Sequence, residues 1–117
     1  MIPQLRLLAI GVVALSLATR PLGSQGITSA ALQGSVVQGD GTPIDGAVVT
    51  ATLAASGAHW HDATDATGRY FLENVEAGGP YLIDARALGF RPVRRTGIVL
   101  VLGVQYAPLV FLTVTPL

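Results

Sequence analysis

Two histidines, His59 and His61, flank Trp60, and Asp62 and Asp65 follow close behind. On an extended strand the period of two sends both imidazoles to one face. That is half of a zinc or copper site. No third ligand follows at a defined spacing, so the pair alone predicts no metal, and no cofactor is expected. Trp60, with Phe71 and Tyr106, offers aromatic surface on which a sugar ring can stack. The competing role for Trp60 is to cover the open end of a small core, where aromatic side chains dominate packing. Arg91, Arg94 and Arg95 form the one basic cluster and suit an acidic partner or a phosphate, although short charge runs are more often solvated loop. Asp40, Asp45 and Asp65 have the oxygen chemistry of calcium ligands, yet each stands where a turn uses Asp to bond its own backbone. The serines, among them Ser24, Ser29, Ser35 and Ser56, lack a nucleophile-elbow context, and no carboxylates pair for acid–base work. The residues therefore point to binding rather than catalysis, with Trp60, His59, His61, Arg91, Arg94 and Arg95 as candidates.

These side chains sit in a chain whose punctuation is that of β-structure. An extended segment from Ala30 to Gln38 leads into Gly39-Asp40-Gly41-Thr42-Pro43-Ile44-Asp45-Gly46, a turn built from residues that accept positive φ, bond their own backbone or preset φ. Ala47, Val49, Ala51 and Leu53 then alternate with Val48, Thr50 and Thr52, a strand with one buried side. Thr64-Asp65-Ala66-Thr67-Gly68 is a tight turn into Arg69 to Val75, where Tyr70, Leu72 and Val75 are expected inside and Phe71 outside. Gly78-Gly79-Pro80 is read as a corner. Tyr81, Ile83, Ala85 and Ala87 follow on one face, Asp84 and Arg86 on the other, and Phe90 is expected to plug the end of the core. Ile98 to Leu102 reads as a strand, Gly103 as a corner and Ala107 to Val114 as the last strand. Its run Leu109-Val110-Phe111-Leu112 is apolar at consecutive positions, which suggests burial on both faces or continuation into something outside this sequence. No 3.6-residue apolar stripe appears after the first 26 residues, so the rhythm is that of an all-β antiparallel sandwich.

Residues 1–26 have the order of a secretory signal peptide, a helix-forming leader. Arg6 supplies the positive n-region, Leu7 to Ala18 is a short apolar run, and small residues after Ser16-Leu17-Ala18 and near Gly23 offer cleavage points. Residues 27–117 then form one domain. Half of the 117 residues are apolar and 12% are charged, which excludes disorder. All the basic residues are Arg. Beyond the leader, Arg69, Arg86, Arg91, Arg94 and Arg95 face the seven acids, a net charge near −2 that argues against nucleic acid. The absence of cysteine removes disulfides, thiolate metal sites and a thiol nucleophile.

The order and spacing of Gly34-x-Val36, Gly41-Thr42-Pro43-Ile44-x-Gly46-Ala47-x-Val49, Thr64-Asp65-x-x-Gly68-x-Tyr70, Val75-x-x-Gly78, Tyr81 and Gly89-Phe90 resemble the carboxypeptidase regulatory-like domain. The resemblance covers roughly residues 30–115 and implies a seven-stranded, transthyretin-like, Greek-key sandwich without catalytic residues. Such domains occur beside metallocarboxypeptidase domains and at the N-terminus of TonB-dependent outer-membrane receptors. The extra residue in Gly78-Gly79-Pro80-Tyr81 and the continuously apolar last strand depart from the pattern. The expectation is a structural or interaction module of the periplasm or outer membrane of a Gram-negative bacterium, or a secreted one. Its partner would be a receptor plug and barrel or another protein, and membrane contact would come only through a larger receptor or an uncleaved leader. The alternative is a free-standing carbohydrate-binding module that takes oligosaccharide.

Overall fold

A computed structural model describes residues 29–117; the expected signal peptide lies outside the described residues. Eight strands follow in order: β1 (Ala30–Gln38), β2 (Val48–Leu53), β3 (His59–Ala63), β4 (Arg69–Val75), β5 (Gly78–Arg86), β6 (Phe90–Arg91), β7 (Val93–Leu100) and β8 (Leu109–Pro116), with one 3-10 turn at Val104–Tyr106 before β8. They form two four-stranded sheets, ordered β4-β1-β8-β6 and β3-β2-β5-β7. The all-β sandwich is thus as expected, but its strand count is eight, because the two residues Phe90 and Arg91 pair with Pro116 and Thr115. Nor is the pairing wholly antiparallel. The first and last strands, β1 and β8, run parallel side by side from Gln33↔Leu109 to Gln38↔Val114.

The period-two faces meet between the sheets. Ala47, Val49, Ala51 and Leu53, together with Tyr81, Ile83 and Ala85, face Leu32, Val36, Leu72, Val75, Val110, Leu112 and Val114, all buried. A large apolar side chain buried in this way contributes about 1.5–3 kcal/mol, and without disulfides this packing holds the sandwich together. Phe90, half-buried, packs against the core, as expected of a plug.

Turn chemistry sets the register. Asp65 Oδ1 accepts from the backbone N–H groups of Thr67 (2.9 Å) and Arg69 (3.0 Å) and from the Thr67 hydroxyl (2.6 Å). Asp40 Oδ1 accepts from Thr42 N–H at 3.0 Å. Both aspartates serve their own turns. Buried Thr64 clamps the turn before β2: its hydroxyl donates to Ile44 O at 2.6 Å and accepts from Ala47 N–H at 2.8 Å.

Three features differ from the sequence expectation. Gly78-Gly79-Pro80 is not a corner but the start of β5. β7 begins at Val93 rather than Ile98, so Arg94 and Arg95 lie on a strand instead of a loop. A register shift between its pairs with Tyr81 and Ile83 absorbs Thr96 and Gly97, the break that concealed the strand. Finally, β8 is not buried on both faces. Val110, Leu112 and Val114 point inward, while Leu109 and Phe111 are 61% and 55% exposed.

Candidate interaction surface

The structure disperses most of the candidate residues. On β3, Trp60 and Asp62 stand opposite Ala51 and Val49, two inward positions, whereas His59 and His61 stand opposite Thr52 and Thr50. Trp60 therefore faces inward, half-buried, with its ring 6.0 Å from that of Tyr81. It covers the core and contributes nothing to an exposed platform. His59 and His61 share the solvent face, but the neighbouring carboxylates are committed elsewhere. Asp62 Oδ2 accepts from Phe71 N–H at 3.2 Å, and Asp65 holds its turn. Among the described residues no three His, Cys, Asp or Glu side chains converge on one point.

The arginine cluster also divides. Arg91 is on β6 of the first sheet. Arg94 stands opposite Asp84 on the outer face of the second, where Asp84 is held 3.5 Å from Arg86 and keeps one buried carboxylate oxygen without a partner. Arg95 takes the opposite direction, and its Nη2 donates to Phe111 O on β8 at 3.1 Å. One strand thus sends successive guanidinium groups to two sides, as its period demands.

A different surface emerges on the outer face of β4, β1 and β8. The rows Phe71–Gln33–Leu109 and Arg69–Ser35–Phe111 cross the three strands in register. Phe71, Leu109 and Phe111 rise on either side of the smaller Gln33 and Ser35 and line one end of an open groove of about 730 Å³ that extends past Arg69 to Pro43, Asp62 and Asp65. Val99, Val101, Leu102, Val104 and Tyr106, between β7 and β8, are also exposed. Large apolar side chains grouped in this way around a groove mark an interaction site. Phe71 was legible as outward-facing. Leu109 and Phe111 were not, because their inward neighbours are equally apolar and no polar residue breaks the run.

Tyr70 builds this face from below. Its hydroxyl crosses the bare Gly34 on β1 and donates to Val110 O on β8 at 2.7 Å, tying three strands together. Burial pushes its phenol well above the usual tyrosine range, against a smaller opposing pull from Arg95. At the other side of the sandwich the Tyr81 hydroxyl donates to Glu76 O at 2.6 Å.

A comparison with curated proteins found no match. The sequence profile of the carboxypeptidase regulatory-like domain matches residues 31–113, a span that runs from β1 to within three residues of the end of β8 and includes the Gly34–Tyr70 crossing and both aspartate turns. The chain belongs to the carboxypeptidase regulatory-like domain family, a family of non-catalytic β-sandwich modules.

Proposed function

We propose that this protein is an exported interaction module that serves as the N-terminal periplasmic domain of a TonB-dependent outer-membrane receptor. The observation that carries the reading is the exposed apolar group Phe71, Leu109 and Phe111 on the outer face of β4, β1 and β8, which suits a docked neighbour. The signal-like order of residues 1–26 supports export. The test is to read the coding sequence beyond the codon for Leu117. The reading predicts an open frame that continues into a plug and then into segments of about ten residues with alternating hydrophobicity, the pattern of barrel strands. A stop codon at that position overturns the receptor context.

The groove bounded by Phe71 and Phe111 favours a second reading, a free-standing carbohydrate-binding module. Two rings beside Gln33 and Ser35 supply stacking faces and hydrogen-bonding groups together. Because Trp60 is turned into the core, its fluorescence is a poor reporter of this groove. Titration of maltooligosaccharides followed by NMR at the rings of Phe71 and Phe111 decides instead. Saturable shifts below about 1 mM, some 4 kcal/mol of binding, support the sugar module. The receptor reading predicts none.

A further inference from the structure

Strand β8 has an open edge. Its pairing with β1 is parallel, and Gln33 N–H donates to Pro108 O at 3.1 Å. In a parallel ladder this phase sends the N–H and C=O groups of Val110, Leu112 and Val114 toward β1, and those of Leu109, Phe111 and Thr113 to the opposite side. Among the described residues the strand on that side is β6, which meets β8 only at Thr115 and Pro116. From Leu109 to Thr113 the edge has no strand partner among them.

The other open edges are poor templates. β4 is guarded by Asp62, whose carboxylate takes Phe71 N–H. β3 is five residues long with a mostly polar outer face. β7 is broken by the irregularity at Thr96-Gly97. β8 alone is regular over eight residues and bears large exposed apolar side chains beside its free backbone groups. Its one guard is Arg95, which occupies Phe111 O.

We propose that this edge of β8 accepts an extended segment of a partner protein as an added strand, and that the segment carries acidic side chains. The geometry gives the mode: backbone groups of Leu109, Phe111 and Thr113 pair with the segment, whose apolar side chains lie on Leu109 and Phe111. The charge comes from the guard. Pairing at Phe111 O displaces the Arg95 guanidinium, which then needs a new acceptor, and Arg91 stands beside the same edge where β6 ends. No Asp or Glu follows Asp84 in the sequence, so β6, β7 and β8 offer these cations no carboxylate. An acid on the incoming strand supplies one. The inference rests on the interaction role proposed above and is independent of the receptor context.

The probe is a capped hexapeptide of alternating valine and glutamate, with the glutamine analogue as its partner, titrated into the 15N-labelled full chain. The expected result is a saturable shift of the Leu109, Phe111 and Thr113 amides, with those of Val110 and Leu112 little changed. Glutamate should bind about fivefold tighter than glutamine, the size of a solvent-exposed ion pair. Arg95→Ala should bring the two peptides close to equal affinity. Thr113→Pro removes an edge N–H without touching the β1 ladder, so it should keep the folded spectrum and lose binding. Should Thr113→Pro unfold, the Arg95→Ala comparison still decides. No shift at millimolar peptide, or equal affinity of both peptides for the parent chain, overturns the proposal. Shifts confined to Gln33, Ser35 and Phe71 overturn it too, but leave the interaction role standing on the groove. Shifts at the same edge amides on raising protein concentration alone make a second copy the occupant, and also overturn it.

Discussion

An alanine at position 34 would drive its Cβ into Val110 O, far inside van der Waals contact, and to 2.8 Å from the Tyr70 hydroxyl oxygen. Nothing but hydrogen fits where the Tyr70 side chain crosses β1. Gly34→Ala should therefore cost about 3 kcal/mol, the upper range for overpacking, and Tyr70→Phe about 1 kcal/mol through the lost hydrogen bond, both read by chemical denaturation. Gly34 and Tyr70 were visible in the sequence as motif positions, but their contact joins residues 36 apart and has no local signature. The positive φ of Gly68 was legible, but its close approach to β1 was not. It has φ +79, and its Cβ would stand 2.8 Å from Val36 O, so Gly68→Val should destabilise by more than the roughly 1 kcal/mol of backbone conformation alone. Asp65 was legible for the same local reason. The Thr67 hydroxyl, then the Arg69 amide, hold its carboxyl below the ordinary value of 3.8. Folding thus favours the ionised form, and this contribution to stability is whole above pH 3.8 and is lost as pH falls through the lower folded value. Asp65→Asn should flatten the acid limb of the stability profile below about pH 4, as followed by urea midpoints. A profile identical to that of the parent would show that the turn carboxylate does not contribute to acid stability.

At the scale of elements, alternation was readable wherever polar residues marked the outer face, as in β2, β4 and β5. It failed in β8, where Leu109 and Phe111 are as apolar as Val110 and Leu112. Pattern alone cannot distinguish a doubly buried strand from one whose outer face is a binding surface. Substitution can. Leu112→Ala should cost about 2–5 kcal/mol by opening a core cavity, whereas Phe111→Ala should stay within about 0.5 kcal/mol, as at an ordinary surface site. Similar large losses at both positions would mean that β8 is buried on both sides. The start of β7 was hidden for another reason. Pro92, Thr96 and Gly97 look like loop residues, and only long-range pairing with β5 holds Arg94 and Arg95 extended, a case of tertiary context overriding propensity. The two-residue β6 falls below what any sequence pattern signals, hence seven expected strands and eight observed.

Across the whole molecule, charge is divided by position in the sandwich. Asp62 and Asp65 on β3 and its following turn, with Glu73 on β4, make one lateral side acidic. Arg91, Arg94 and Arg95 on β6 and β7 make the other basic. The three arginines thus form no single cluster: Arg95 is set on the backbone of β8, Arg91 stands beside the end of the same strand, and Arg94 faces Asp84. The β8 strand on that side carries the exposed Leu109 and Phe111. Unpaired backbone groups, the exposed Leu109 and Phe111 and the guanidinium of Arg95 coincide along β8. The most direct measurement is amide hydrogen exchange along that strand in the full chain without any ligand. The expected result is alternation, with Val110, Leu112 and Val114 strongly protected and Leu109, Phe111 and Thr113 exchanging orders of magnitude faster. Uniform protection from Leu109 to Val114 would mean that the edge is already covered, and would contradict it.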